Sequence, residues 1–427
     1  MKKLNSILFS IIASEVLENA KCGMQNAESG AELDERTLAA VFALAKKHDL
    51  GHLILNAKCK VQNAKSGAQQ SLPAEGGGPL AVEGECEKHP ATSTSEDDRS
   101  TPNRDAELGA QLYAELEKVK LTAVWRVRNI ENEQGRVRKC LEGAGIPFIL
   151  LKGAVLRGYY PESWMRTSSD IDVLVPRDKL AEAVKTLTDG YGYRISTVEP
   201  HDASLFAPGG VHLDMHTLFE GDGAGGVLTD DAWQSAVSRG GIEHFLTPEY
   251  FYVYHIAHMA KHMKNGGPGI RPFIDLYLIN SNLAYDREAV ESILRERGLD
   301  RFERAAVTLS ECWMQGSDTA ELVALEEYVL TGGVYGSLSQ CVAAKRGKDG
   351  KLRYITRRIF MPYGELKERY PSLEGRAWLT PIYWVWRWLS LLSPRRFKRS
   401  RAELKSAVSL DSESASGVTE LFESLGL

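Results

Sequence analysis

Residues 147–175, PFILLKGAVLRGYYPESWMRTSSDIDVLV, place two carboxylates one residue apart, at Asp170 and Asp172. Successive side chains of a strand point to opposite faces, so both carboxylates project from one face while Ile171 packs on the other. Carboxylate oxygens are the ligands that Mg²⁺ prefers in proteins. The pattern therefore predicts a metal-binding strand near the end of this stretch.

A second acidic strand is predicted at residues 211–216, VHLDMH. Its alternation puts Asp214 on one face together with His212 and His216. Three carboxylates on neighbouring strands suit the two Mg²⁺ ions that promote in-line displacement at phosphorus. We therefore expect Asp214 to complete the metal site that begins with the Asp170 strand.

A glycine turn precedes the acidic strands. Residues 148–151 predict an apolar strand, which leads into a helix at Gly153. Glycine permits close approach of a ligand, and the backbone N–H groups at the start of a helix can cradle a triphosphate. Lys152 adjoins this turn, where its ammonium group can pair with phosphate or with Asp170.

These features together resemble the plan of the nucleotidyltransferase superfamily, which has the polymerase-beta-like fold. More narrowly, they resemble a largely uncharacterised bacterial nucleotidyltransferase family, and the similarity is densest over residues 143–275. Many superfamily members carry Gly-Ser or Gly-Gly after the first strand, where this chain has Gly153-Ala154. The residues that carry the resemblance are Leu151-Lys152-Gly153, Tyr160-Pro161, Arg166, the run from Ser169 to Val175, and Leu213-Asp214-Met215-His216.

The resemblance implies an α+β fold, with a small mixed sheet and flanking helices as the catalytic core and a mainly helical C-terminal region. It implies transfer of a nucleoside monophosphate from an NTP, expected to be ATP, to an unassigned acceptor, with release of pyrophosphate. Two Mg²⁺ ions are expected, with Mn²⁺ as the alternative metal. The expected catalytic residues are Asp170, Asp172, Asp214 and Arg166, and the expected nucleotide-binding residues are Lys152, Gly153, Ser169, His216, His258, Arg271 and Asp275.

Two of these residues have more than one interpretation. Arg166 either neutralises charge on the transferred phosphorus and the leaving pyrophosphate, or forms a salt bridge that orients the segment before Asp170. His216 either binds substrate or orients a metal ligand through a hydrogen bond, and the same two roles are open to His212 on the same face. Both alternatives stay open at the level of sequence.

A polar cluster follows in residues 254–275. His258 and His262 are one helical turn apart, which is the spacing of a zinc pair, but the glutamate of the metalloprotease pattern is missing. We expect this cluster, with Arg271 and Asp275, to contact nucleotide or substrate. A buried hydrogen-bond network and an independent metal site are the alternatives.

Composition predicts a chain of two or three globular domains. The 427 residues are 26% charged and 43% apolar, and the formal net charge of −5 gives no bulk attraction to nucleic acid. Six cysteines without disulfide or metal-site spacing favour the cytoplasm. The N-terminus faintly resembles a signal peptide, but its apolar spacing favours an amphipathic helix, and no run is long enough to span a bilayer.

The N-terminal region contains a near-duplicate. Residues 19–31, NAKCGMQNAESGA, recur as residues 56–68, NAKCKVQNAKSGA, and residues 69–105 are rich in Gly, Pro, Ser and acidic residues. Because these segments lack a helical or strand period, we interpret them as low-complexity insertions, with residues 69–105 disordered. The expected regions are a helical N-terminal region at 1–145, the nucleotidyltransferase core at 146–246 and a helical C-terminal region at 247–427.

Tryptophans and arginines are interleaved over residues 378–401. Such a segment can bind a membrane surface or nucleic acid, but more often it is a helix whose aromatic face is core and whose arginines snorkel. Peripheral membrane contact is therefore an alternative role of this segment. Two functions other than catalysis remain as alternatives. One is a non-catalytic regulatory module that binds nucleotide in the predicted pocket, and the other is a membrane-surface or nucleic-acid adaptor that uses this C-terminal segment.

Overall fold

The computed structural model describes residues 2–17, 35–54, 101–218, 229–334, 336–347, 351–390 and 394–427. Both copies of the duplicated segment, and residues 69–100 of the predicted disordered loop, lie outside these ranges. Residues 101–105, which the sequence assigned to the end of that loop, form the start of a long helix instead.

Helices make up most of the described chain, and none of those described is long and apolar enough to cross a membrane. The α-helices are α1 (Lys2–Leu17), α2 (Glu35–Lys47), α3 (Thr101–Gly143), α4 (Gly153–Leu156), α5 (Leu180–Tyr191), α6 (Thr229–Gln234), α7 (Pro248–Lys264), α8 (Arg271–Asn282), α9 (Arg287–Glu296), α10 (Asp300–Gln315), α11 (Val323–Gly332), α12 (Leu338–Arg346), α13 (Lys351–Ile359), α14 (Tyr363–Arg369), α15 (Thr380–Ser390), α16 (Pro394–Ser409) and α17 (Ser412–Leu425).

The chain divides into two compact units, Met1–Trp125 and Arg126–Leu427. In the first unit, the helix predicted at the N-terminus is confirmed as α1, which buries apolar residues such as Leu8 and Ile12. Helix α2 is likewise amphipathic and buries one face. The division falls inside the long helix α3.

A seven-stranded mixed sheet forms the centre of the second unit. Its strand order is β3-β4-β5-β2-β1-β7-β6. The pairs β2–β5 and β1–β7 are parallel, and the other pairs are antiparallel. This mixed sheet with its many helices confirms the predicted α+β class. The strands are β1 (Phe148–Leu150), β2 (Asp170–Leu174), β3 (Arg194–Val198), β4 (Asp202–Phe206), β5 (His212–His216), β6 (Ala236–Ser238) and β7 (Glu243–Leu246).

One face of the central strands packs against the main hydrophobic core. Ile171 and Val173 of β2 belong to this core, as does Leu213 of β5, together with apolar residues of α5 such as Leu187. Because neighbouring residues of a strand alternate between faces, the intervening residues of β2 and β5 lie on the opposite face of the sheet. That opposite face carries the acidic residues.

Candidate active site

Two neighbouring parallel strands carry the predicted acidic residues. In the register of β2 and β5, Asp172 lies opposite Asp214, and Asp170 lies opposite His212. These positions alternate with the buried apolar residues of the core. The three predicted carboxylates therefore share one face on adjacent strands.

Asp170, His212 and Asp214 form a candidate metal-binding group within the described part of the chain. Each residue offers one ligand atom, and these atoms lie within 4.8 Å of one another. His212 Nε2 is 3.3 Å from Asp214 Oδ1 and 2.5 Å from Ser204 Oγ. The geometry thus places among the possible metal ligands His212, which the sequence predicts to bind substrate or to orient a ligand, and it leaves Asp172 outside this group.

Asp172 is held between two cationic side chains. Its Oδ1 accepts hydrogen bonds from Lys152 Nζ at 2.5 Å and His216 Nε2 at 3.3 Å, while His216 Nδ1 donates to Asp202 Oδ1 at 2.7 Å. Burial would raise the pKa of Asp172, but Lys152 and His216 together lower it to about 2. Burial also disfavours protonation of His216, yet its bonds to the two carboxylates raise its pKa to about 9. Near neutral pH, Asp172 is therefore ionised and His216 is protonated.

The backbone of Lys152, whose side chain pairs with Asp172, has a conformation that residues other than glycine rarely adopt. Its φ is 45° and its ψ is −113°, at the turn between β1 and α4. Strain of this kind costs on the order of 1–3 kcal/mol and concentrates at functional sites. Burial disfavours the ammonium group, but the Tyr254 oxygen and Asp172 raise the pKa of Lys152 above its ordinary value. Lys152 is thus a cation paired with Asp172 rather than with Asp170.

Gly153 lies where α4 passes close to the segment before β2. A Cβ atom here would be 3.0 Å from Arg157 Nη1 and 3.2 Å from Ser168 Oγ. Arg157 Nη1 donates to Ser168 Oγ at 3.0 Å, and that hydroxyl donates to the Asp170 carbonyl oxygen at 3.3 Å. The glycine therefore makes room for a chain of hydrogen bonds from Arg157 to the backbone of Asp170.

Arg157 is a buried residue for which the sequence predicts no role. Within the described residues, its Nη2 atom is buried and has no hydrogen-bond partner. Burial, reinforced by the positive charge of Arg166, lowers the pKa of Arg157 to about 10. An arginine inside the apolar run at 154–158 was the available sequence signal.

Arg166 and Asp275 form a buried ion pair. Arg166 Nε donates to both Asp275 oxygens, at 2.8 and 3.1 Å, and Tyr160 Oη donates to Asp275 Oδ1 at 2.8 Å. Arg166 Nη1 donates to the Thr167 carbonyl oxygen at 2.7 Å, and Arg271 Nη2 donates to Thr167 Oγ1 at 3.2 Å. Burial disfavours the charge of Arg166, but Asp275 raises its pKa. This geometry matches the interpretation of Arg166 as the residue that orients the segment before β2.

Helix α7 brings two histidines close to the same site. His258 Nε2 and His262 Nε2 lie 3.0 Å apart, and the Tyr254 ring stacks on His258 with centroids 6.0 Å apart. Burial and the charge of Lys152 lower the pKa of both histidines, that of His262 to about 4, so both rings are neutral near neutral pH. Among the described residues, neither histidine belongs to a metal-binding group of three. Ser169 is exposed at the start of β2.

A comparison with known protein families identifies a family for this chain. A family model described as an uncharacterised nucleotidyltransferase matches residues 101–315, about half of the chain. The chain belongs to this uncharacterised nucleotidyltransferase family. No curated protein and no solved structure matches this chain significantly.

Membership of the nucleotidyltransferase family confirms the predicted family and enzyme class. The matched residues include the strands β1, β2 and β5, the helices α7 and α8, and the whole of α3. The acidic strands, the Lys152 turn and the buried Arg166–Asp275 pair all lie within the match. The C-terminal residues from 316 onwards lie outside it.

Proposed function

We propose that this nucleotidyltransferase uses a divalent metal to transfer a nucleoside monophosphate from an NTP to an acceptor, with release of pyrophosphate. The observation that carries the proposal is the group of Asp170, His212 and Asp214, with Asp172 beside it on the same face. Carboxylate oxygens suit Mg²⁺ and Mn²⁺, the ions that serve displacement at phosphorus. The donor set therefore fits such a metal.

Asp170, His212 and Asp214 would hold the ion. A bound divalent ion stabilises the negative charge that develops on the transferring phosphoryl group. An imidazole nitrogen is softer than a carboxylate oxygen, so this donor set should favour Mn²⁺ over Mg²⁺. Asp172 Oδ1 accepts from both Lys152 and His216, so this oxygen would bind a second ion only if Lys152 moved away.

Positive charge surrounds the acidic strands. Lys152 would bind a phosphate group of the NTP if it left Asp172, and Asp172 Oδ1 would then be free to hold a metal ion. His216, protonated between Asp172 and Asp202, would keep the Asp172 carboxylate oriented during this exchange. Fixed cations of this kind stabilise charge that develops in the transition state.

The other predicted nucleotide-binding residues fall into two groups in this proposal. Gly153, Ser169 and His258 would contact nucleotide directly, since they surround the Lys152 turn and the start of β2. Arg166, Arg271 and Asp275 would act by holding the segment before β2, because their polar atoms already bond to one another or to Thr167. A role in positioning replaces direct contact for this second group.

The experiment measures transfer from NTPs labelled at the α-phosphate, with Mg²⁺ or Mn²⁺ and a panel of acceptors, beside pyrophosphate release. ATP is the first nucleotide to test. Asp170→Asn and Asp214→Asn should each lower turnover at least about 100-fold, since lost electrostatic stabilisation at such sites costs several kcal/mol. Asp178→Asn, which changes an exposed carboxylate ahead of α5, is the matched control and should keep full turnover. Full turnover in Asp170→Asn, or turnover without any metal, would overturn the proposal.

A further inference from the structure

Helix α15 exposes its apolar face. Ile382, Val385, Trp386 and Leu389 recur at the i, i+3, i+4, i+7 spacing of a single helix face, and all four are exposed. In a helix that packs on a globular core, this is the face that turns inward. Here the inward residue is Arg387, which is buried. We call the four exposed residues the α15 face.

Hydrogen bonds fix the helix in this orientation. Arg387 Nη1 donates to the Ile359 carbonyl oxygen at 3.3 Å, and Trp388 Nε1 donates to the same oxygen at 3.1 Å. Trp384 Nε1 donates to the Met361 carbonyl oxygen at 2.8 Å. Rotation of α15 to bury its apolar face would break these three bonds. The predicted aromatic core therefore holds for Trp384, which packs against a buried cluster. Trp388 is 37% exposed, and the α15 face is exposed as well.

The sequence on both sides of the α15 face is aromatic and basic. Trp378, just before the helix, and Phe397, in α16, are also exposed. Residues 376–405 contain a single acidic residue, whereas the whole chain has a net charge of −5. Lys398 and Arg401 of α16 are exposed to solvent. The basic residues of this segment are Arg376, Arg387, Arg395, Arg396, Lys398, Arg399, Arg401 and Lys405.

We propose that the α15 face docks on an anionic lipid surface, with α15 lying in the plane of the interface. Helices that lie in this way insert Trp, Leu and other apolar side chains among the headgroups, while neighbouring Lys and Arg attract anionic lipids. The basic residues could also bind nucleic acid. Bases stack on aromatic rings, however, and the aliphatic side chains of this face, such as Ile382 and Val385, cannot stack with them. The combination of an aliphatic face, tryptophan and concentrated positive charge favours lipid.

This docking uses residues outside the family match and none of the residues of the acidic site. It requires no helix that spans the bilayer. It would bring the nucleotidyltransferase to a membrane surface, where an acceptor carried by the membrane would meet it at high local concentration.

The test is co-sedimentation of the full chain with vesicles of phosphatidylcholine, alone or mixed with phosphatidylglycerol. We expect the wild type to bind the anionic vesicles and to be released by salt. Trp386→Ser/Leu389→Ser should lower partitioning at least about tenfold, because it removes two large apolar side chains from the interface. Lys398→Gln/Arg401→Gln should weaken binding to the vesicles that contain phosphatidylglycerol and leave binding to pure phosphatidylcholine vesicles unchanged.

A matched control changes the same residue types elsewhere. Leu121 and Trp125 of α3 are 68% and 66% exposed, compared with 55% and 64% for Leu389 and Trp386. Leu121→Ser/Trp125→Ser should leave partitioning within about twofold of the wild type, since it removes similar apolar area from another surface. An equal loss in this control, or no binding of the wild type to anionic vesicles, would overturn the proposal. The proposal would also be overturned if the wild type did not bind vesicles but self-associated or bound oligonucleotides, and Trp386→Ser/Leu389→Ser abolished that binding.

Discussion

Replacement of Arg166 by Met separates the two interpretations of this arginine. Asp275 is 1% exposed and accepts two bonds from Arg166 Nε, at 2.8 and 3.1 Å. Loss of one partner from a buried ion pair leaves an uncompensated charge and costs about 3–5 kcal/mol. Tyr160 still donates to Asp275 Oδ1 and offsets about 1 kcal/mol of this cost. We therefore expect Arg166→Met to lower the free energy of unfolding by about 3 kcal/mol.

A double-mutant cycle with Asp275→Leu completes the test. Each single variant should be destabilised, but Arg166→Met/Asp275→Leu should be less destabilised than the sum by at least about 2 kcal/mol, because no charge remains buried. Urea unfolding of the full chain, followed by tryptophan fluorescence, gives the free energies, and turnover is measured on the folded protein. If Arg166→Met unfolds within about 0.5 kcal/mol of the wild type and still loses turnover, Arg166 contacts the reacting phosphate and the positioning role is refuted.

Three further predictions concern the turn and the metal ligands. Lys152→Gly should be about 1 kcal/mol more stable than Lys152→Ala in urea unfolding, since glycine adopts a φ of 45° with little strain; equal stabilities would show that the turn is unstrained. Gly153→Ala should lower turnover because its Cβ would lie 3.2 Å from Ser168 Oγ and crowd it. The control Gly135→Ala, whose Cβ meets nothing within 4 Å, should raise the free energy of unfolding by about 0.5–1 kcal/mol and leave turnover unchanged. Equal turnover in the two variants would contradict the crowding. His212→Ala should weaken Mn²⁺ binding more than Mg²⁺ binding in calorimetric titrations, and an equal effect on both ions would remove His212 from the ligand set.

The acidic face could be predicted because its pattern is local. Alternation along a strand fixes which side chains share a face, whatever the strand pairs with. Asp170 and Asp172 of β2 therefore needed no knowledge of the sheet to be grouped, whereas the addition of Asp214 of β5 relied on the expectation that the two strands are neighbours. The same segments carried the resemblance to the nucleotidyltransferase family, which implied the α+β class.

Partners that are distant in sequence could not be predicted in this way. The parallel register of β2 and β5 sets His212 opposite Asp170, and nothing in either strand alone indicates that pairing. Arg166 meets Asp275 of α8, more than a hundred residues later, through tertiary packing. Lys152 reaches Asp172 because β1 and β2 are antiparallel neighbours.

The orientation of α15 shows the same limit. Its apolar spacing indicates an amphipathic helix, and the usual rule would bury that face. The bond from Arg387 to the Ile359 carbonyl oxygen instead turns the arginine inward. That partner lies at the end of α13 and could not be identified from the sequence of α15.

Calorimetric titration of ATP into the full chain, with and without Mn²⁺, tests the metal–nucleotide site most directly. The variants Asp170→Asn and Asp214→Asn are titrated beside the control Asp178→Asn, and each is checked for an unchanged unfolding midpoint. We predict that the wild type and Asp178→Asn bind ATP only with Mn²⁺, and that both site variants lose at least about tenfold in affinity, or about 1.4 kcal/mol. ATP binding of equal affinity without metal, or unchanged binding in both site variants, would contradict the assignment of Asp170 and Asp214 as metal ligands.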